Sequence, residues 1–231
     1  MNNGSGARIL LLNPNSSAPC SAGIDAAVAG FRRAEGPAIE LVTVAGGPPG
    51  IYTWRDWHAA VGPLCQAVAR ERADVFVVAC ASDPGIAAVR EVTPRPVLGV
   101  FACAVAAALV RAERFGVIAL VDASIARHAL ALRGMGVADR LAGEIAMNTT
   151  IEALLDPLAT RVALVAAGQA LVAQGAGAVI LGCTGMAGHR AAVEAAIGVP
   201  VIEPCQAAVA QAIGIVVANT SPAAREGCAA G

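Results

Sequence analysis

Two segments of this chain, about a hundred residues apart, carry the same order of residue types. In the first, Val75-Phe76-Val77-Val78-Ala79 runs into Cys80-Ala81-Ser82-Asp83-Pro84-Gly85. In the second, Ala178-Val179-Ile180-Leu181-Gly182 runs into Cys183-Thr184-Gly185-Met186. A short, unbroken apolar run closed by small, turn-forming residues and followed by a helical pattern reads as a strand buried on both faces. Such strands belong to parallel sheets covered by helices, so the pattern points to an α/β fold.

The rest of the chain repeats that alternation. Residues 8–12 and 39–44 read as strands, with a helix between them to about Phe31. The segment from Ala45 to Trp57 reads as a loop carrying both tryptophans, and His58 to Arg72 as a helix whose true start is marked by Pro63. The strand before Cys80, a helix from Pro84 and a strand at 96–100 complete one half. The order then restarts with a strand at 114–120, a helix to about Gly134, a strand at 141–147 and a helix at 159–174. The Cys183 strand and its helix, a strand at 200–202 and a helix at 206–217 close the chain. Arg8 and Arg114, Cys80 and Cys183, and Pro96 and Pro200 lie 106, 103 and 104 residues apart. The expected architecture is therefore two similar halves, each a parallel sheet flanked by helices. Residues 1–110 with 203–231 form the first half, to which the C-terminal helix returns, and residues 111–202 form the second. In open parallel sheets, ligands bind beyond the carboxyl ends of strands, and Asn13, Cys80 and Cys183 all fall at such ends.

Composition narrows the function. Hydrophobic residues make up 57% and aromatics 3%, so Ala, Val, Leu and Ile must build the core. The formal net charge of -1 offers no long-range attraction to nucleic acid or an anionic membrane. No apolar run reaches the roughly 18 residues that span a bilayer, and the first residues are polar. A soluble, cytoplasmic protein that takes a small-molecule substrate is expected. The seven cysteines are odd in number and include no Cys-x-x-Cys pair, which argues against a disulfide framework and a closed zinc site. No metal or cofactor motif is found: there is no His-x-x-x-His, no paired-carboxylate set, no Gly-x-Gly-x-x-Gly and no Walker sequence.

The chemistry then rests on Cys80 and Cys183. Either alone reads equally as a small core residue, as free cysteines often are. At equivalent strand ends of two similar halves, they read as a pair facing one pocket and passing a proton between them. A helix start after each cysteine would favour the thiolate. Ser82 or Asp83 is placed to cap the helix after Cys80, with Pro84 in its first turn. Gly182 and Gly185 remove bulk beside Cys183, and Thr184 adds a hydroxyl. Asn13 and Asn15 offer amides to a ligand or simply build a turn. Cys205, near a helix start, is the next candidate, whereas Cys20 and Cys228 read as peripheral. His58, His128 and His189 fall in helical contexts and read as surface or capping residues. Trp54 and Trp57 line the pocket or a subunit contact.

Together, Ile9-Leu10-Leu11-Leu12-Asn13-Pro14-Asn15-Ser16-Ser17, Ala79-Cys80-Ala81-Ser82-Asp83-Pro84-Gly85 and Leu181-Gly182-Cys183-Thr184-Gly185-Met186 resemble the aspartate/glutamate/hydantoin racemase superfamily, most nearly its hydantoin and allantoin racemase branch. The resemblance runs from Arg8 to about Val217. It implies two α/β halves with the active site in the cleft between them, cofactor-independent racemisation by Cys80 and Cys183, with Asn13, Ser82, Thr184 and Gly185 as substrate contacts, and a homo-oligomeric assembly. A one-cysteine decarboxylase, a cis-trans isomerase with a covalent cysteine and a non-catalytic two-lobed binding protein remain the alternatives. The chain departs from the family pattern at two places. Ala119-Leu120 stands where relatives often carry two threonines, and Phe101-Ala102-Cys103 where many carry Gly-Glu-Ala.

Overall fold

The computed structural model describes residues 6–220. Two four-stranded sheets form, and every strand pair in them is parallel. The first contains β1 (Arg8–Asn13), β2 (Ala38–Thr43), β3 (Val75–Val78) and β4 (Val97–Gly99), in the order β2-β1-β3-β4. The second contains β5 (Phe115–Ala119), β6 (Leu141–Ala146), β7 (Ala178–Gly182) and β8 (Val201–Ile202), in the order β6-β5-β7-β8. The two orders are the same, as the repeated spacing anticipates. In each half the chain starts in the middle and turns to both sides, which opens a crevice at the carboxyl ends of β1 and β3 and again of β5 and β7. The inner strands β3, β5 and β7 are buried throughout, hence their unbroken apolar sequences.

The helices are α1 (Ala18–Val28), α2 (Trp54–Ala59), α3 (Val61–Arg70), α4 (Ile86–Glu91), α5 (Val100–Leu109), α6 (Asp122–Gly134), α7 (Pro157–Ala173), α8 (Arg190–Ile197) and α9 (Pro204–Thr220). Both α1 and α9 pack with the first sheet, where Ile24, Val28, Cys205, Ala208 and Val209 join Ile9, Leu11, Val75 and Val77 in one cluster. Helices α7 and α8 cover the second sheet through Leu164, Leu171 and Val193.

Two elements differ from expectation. Helix α5 falls in an Ala/Val run that shows no helical period. The reason is its position: Val100 and Cys103 join the first-sheet cluster, while Phe101, Ala104, Val105 and Ala108 pack on Phe115, Val117, Ala178 and Ile180 of the second sheet. A helix buried on several sides has no polar face to reveal its period. Helix α2 replaces the expected loop around the tryptophans. Its start is a capping box, in which the Thr53 hydroxyl accepts from the Asp56 N–H at 3.2 Å and the Asp56 carboxylate accepts from the Thr53 N–H at 2.9 Å.

Asp83 is a cap, but for a different helix from the one anticipated. Helix α4 begins after Gly85 with no side-chain cap. The Asp83 carboxylate instead accepts the N–H groups of Phe101 and Ala102, both at 2.9 Å, at the start of α5. Asp83 sits at φ 48, in the left-handed region that costs a non-glycine residue energy. The space for this cap exists because residue 99 is glycine: a Cβ there would lie 2.2 Å from an Asp83 carboxylate oxygen. Gly99→Ala is therefore expected to displace the carboxylate and orphan two helix N–H groups. A loss of about 2 kcal/mol in unfolding free energy should follow, read from urea denaturation.

Candidate functional site

The carboxyl ends of the central strands meet around one small cavity. Cys80, two residues beyond β3, and Cys183, the first residue beyond β7, both line it. Ser82 and Thr184 line it as well. The space is about 40 Å³, enough for two or three waters at roughly 10–15 Å³ each. A much larger groove of about 1030 Å³, bounded by α5, α8, β8 and α9, contains neither of these cysteines.

The two sulfurs have matching local surroundings. Cys80 interacts with the backbone N–H of Ser82 and, at 3.5 Å, with the Ser82 hydroxyl, while Cys183 interacts with the backbone N–H of Gly185. In both halves the donor is the second residue after the cysteine. The turn at Cys80 is closed by the Asp83 N–H on the Cys80 carbonyl at 2.9 Å, and that at Cys183 by the Met186 N–H on the Cys183 carbonyl at 3.0 Å. Trp57 adds support from outside, its indole N–H donating to the Ser82 carbonyl at 2.9 Å.

Neither turn leads straight into a regular helix. Helix α4 starts six residues after Cys80, and a 3-10 segment, Thr184–His189, precedes α8. The helix dipole expected to favour thiolate is correspondingly remote, since its effect fades within a turn. Burial pushes both thiols up, Cys183 to about 12. Acidic groups oppose ionisation of both, Asp83 at Cys80 and Cys20, Cys80 and Glu203 at Cys183, while Arg127 favours it at Cys80 alone.

Of the other sequence candidates, Asn13 does not line the cavity. Its amide nitrogen donates to Ser21 Oγ at 2.9 Å and Asn15 Oδ1 at 3.2 Å, and its own Oδ1 accepts the Asn15 N–H at 3.2 Å. It holds the loop that brings Asn15 to the cavity wall. Gly185 meets the Cys183 sulfur rather than the cavity. A Cβ at Gly185 would lie 2.9 Å from Leu154 and 3.6 Å from that sulfur. Gly182 serves the sheet, because a Cβ there would lie 2.6 Å from the Ile118 carbonyl oxygen of β5. Cys205 is buried in the first-sheet cluster and does not line the cavity. Cys228 lies outside the described residues.

Two lining residues were read differently from sequence, and a third, Ser124, was not singled out. Cys20, taken as peripheral, is 3% exposed and lines the cavity from the first turn of α1. His128, taken as a surface or capping residue, is buried and lines it with Ser124 from α6. Behind them Arg127 is 3% exposed and, among the described residues, has no carboxylate within ion-pair distance. Its guanidinium donates to the Tyr52 carbonyl at 3.3 Å and to Ser124 Oγ at 3.1 Å, and lies 5.8 Å from the Trp54 ring centre. The Ser124 oxygen thus accepts from a cation, and among the described residues its own hydrogen has no acceptor. The available sequence signal was the spacing Ser124-x-x-x-His128, which places both side chains on one helix face. Tyr52 ties this wall to the first half, its hydroxyl accepting the Ile151 N–H at 3.1 Å. Among the described residues, no group of three or more His, Cys, Asp or Glu stands close enough to hold a metal ion, and no helix is long and apolar enough to cross a membrane.

Comparison with known proteins gives this geometry a context. The profile of the Asp/Glu/hydantoin racemase family matches residues 9–212. A hydantoin racemase of Paenarthrobacter aurescens is 34% identical over 213 residues, which is 87% of each chain. A hydantoin racemase of Pseudomonas sp. (strain NS671) is 31% identical over 206 residues, covering 85% of this chain and 80% of the relative. The structure of allantoin racemase from Klebsiella pneumoniae superposes with a TM-score of 0.84 at 30% identity, over 92% of this chain and 88% of that one. A glutamate racemase of Bacillus anthracis shares the fold, with a TM-score of 0.71 at 18% identity over 94% of this chain and 84% of that one.

Glu203, at the start of α9, gives the site a pH signature. It accepts the N–H groups of Cys205 and Gln206, yet burial pushes its carboxyl from the ordinary 4.5 to about 6. The folded protein thus holds this proton more tightly than the unfolded chain. The associated stability is complete below about pH 4.5 and is lost as pH rises through about 6. Glu203→Gln is expected to flatten the fall in unfolding free energy across that window, by on the order of 2 kcal/mol, in denaturant titrations at a series of pH values.

Proposed function

Since the chain belongs to the Asp/Glu/hydantoin racemase family, we propose that this isomerase inverts the C5 centre of a hydantoin-type ring, a 5-substituted hydantoin or allantoin, by proton transfer between Cys80 and Cys183. No metal or organic cofactor takes part in this reading. Its main support is that the two cysteines, from matched strand ends of two similar halves, line a single cavity.

The hydrogen on C5 is acidic because its removal gives an anion shared with the adjacent C4 carbonyl. One sulfur, as thiolate, takes that proton from one face, and the opposite thiol gives its own proton to the other face. The product has the inverted centre, and the protonation states of the sulfurs have exchanged. Proton exchange with solvent resets them. Arg127 partly offsets burial and the Asp83 charge at Cys80, whereas burial and acidic neighbours hold Cys183 up at about 12, so Cys80 serves as the thiolate for one enantiomer. For the enantiomer whose C5 hydrogen faces the other wall, the roles reverse.

Charge develops on the C4 oxygen as the proton leaves. The Ser124 hydroxyl, its oxygen held by Arg127, is free to donate to that oxygen, with Ser82 and Thr184 available on the cysteine turns. Gly185 acts through its N–H on Cys183, and Asn13 through the Asn15 loop.

Replacing one cysteine leaves one base on one face. Cys80→Ser and Cys183→Ser are each expected to lose racemisation by at least about 100-fold. Each should still exchange the C5 hydrogen for deuterium in heavy water, without inversion, and the two should prefer opposite enantiomers. Chiral chromatography and proton NMR on folded variants read both effects. Exchange of the same enantiomer by both variants would replace this mechanism with a one-cysteine one. Activity is also expected to survive dialysis against a chelator; loss of activity restored by zinc would overturn the cofactor-free reading.

A further inference from the structure

Beside the cysteines, the cavity wall contains a buried pair that the proton-transfer scheme does not use. His128 Nδ1 lies 2.5 Å from Glu144 Oε1, and the two side chains are 1% and 3% exposed. The second Glu144 oxygen, Oε2, is buried and has no hydrogen bond. The imidazole stacks on Phe101, with ring centres 4.4 Å apart and planes 16° apart. The ring is therefore fixed in the cavity wall by a carboxylate on one edge and an aromatic face behind it. In the tautomer whose Nδ1–H donates to the carboxylate, the lone pair is on Nε2, which makes no hydrogen bond among the described residues. A buried carboxylate devoted to one histidine nitrogen is costly, and orienting the other nitrogen is a use that repays it.

The partner that suits this arrangement is an N–H donor beside a carbonyl. Ser124 and His128 stand one helical turn apart on the same face of α6, and both line the cavity. The first presents a hydroxyl hydrogen and the second a lone pair. An amide edge of a flat ring offers the complementary pair, a carbonyl oxygen and the neighbouring N–H.

We propose that His128 is a specificity-determining residue, its Nε2 accepting the ring N3–H while Ser124 donates to the adjacent C4 oxygen. This rests on the hydantoin-type reading above and extends it, by assigning the ring edge that the protein recognises. Open-chain substrates that lack that edge are rejected because they leave a buried acceptor unpaired.

The test is equilibrium binding by calorimetry of three probes: 5-methylhydantoin, 3,5-dimethylhydantoin and 1,5-dimethylhydantoin. The last two carry the same added methyl group on different nitrogens. The wild-type protein is expected to bind the N3-methyl probe about 10- to 100-fold more weakly than the parent, and the N1-methyl probe within about threefold of it. His128→Leu should bind the parent and the N3-methyl probe within about threefold of each other. Equal binding of both methylated probes by the wild type, or undiminished discrimination in His128→Leu, would overturn the proposal. Should that variant not fold, the wild-type comparison of the two methylated probes decides alone. Racemisation of the parent ring is followed separately. Discrimination at N3 without racemisation would sink the proposed reaction and leave this assignment standing. Racemisation with no discrimination at N3 would do the reverse, and absence of any binding would overturn both.

Discussion

The structure depends on the Asp83 carboxylate at the start of α5. Asp83 ends the turn that carries Cys80, and it accepts two N–H groups of a helix packed against both sheets. One side chain thereby couples the position of the Cys80 sulfur to the packing between the halves. Burial pushes that carboxyl up to about 6, while the two helix N–H groups pull the other way. The arrangement constrains its neighbours closely. Gly99 must lack a side chain, and Asp83 itself must adopt a left-handed backbone.

The two halves are alike in topology and in the turns around their sulfurs, but not in charge. The Cys80 side holds Asp83, which opposes a thiolate there, and Arg127, a buried guanidinium that favours it and whose partners are a carbonyl and a hydroxyl. The Cys183 side holds Cys20 and Glu203, whose ionised forms disfavour a second anion. Similar backbone turns thus supply two equivalent positions, and non-equivalent side chains surround them. Helix α6 contributes most to this difference, placing Ser124 and His128 in the cavity wall and Arg127 behind them.

Parts of the site were legible in the residues and parts were not. Cys80, Ser82, Cys183 and Thr184 follow apolar runs directly, so their place at strand ends can be read from adjacent sequence. Asn13 carried the same signal, yet its amide is spent inside its own loop and Asn15 reaches the cavity instead. His128 and Ser124 gave only a four-residue spacing on a helix of weak amphipathicity. Glu144, which gives His128 its meaning, lies on a different strand, 16 residues away. In the fold the Phe101 ring is the surface against which His128 stacks.

By itself, the order of residues determined the α/β class, the two similar halves and the strand-end location of both cysteines. Those properties follow from local pattern: unbroken apolar runs make buried strands, and small polar clusters end them. The tertiary structure alone decided which helix Asp83 caps, that α5 is a helix packed against both sheets, and that Cys20, Ser124, Arg127 and His128 gather near the sulfurs. Each of these depends on groups far apart in the chain meeting at one place. A buried charge or hydrogen bond takes its worth from whatever surrounds it, and no local periodicity records those surroundings.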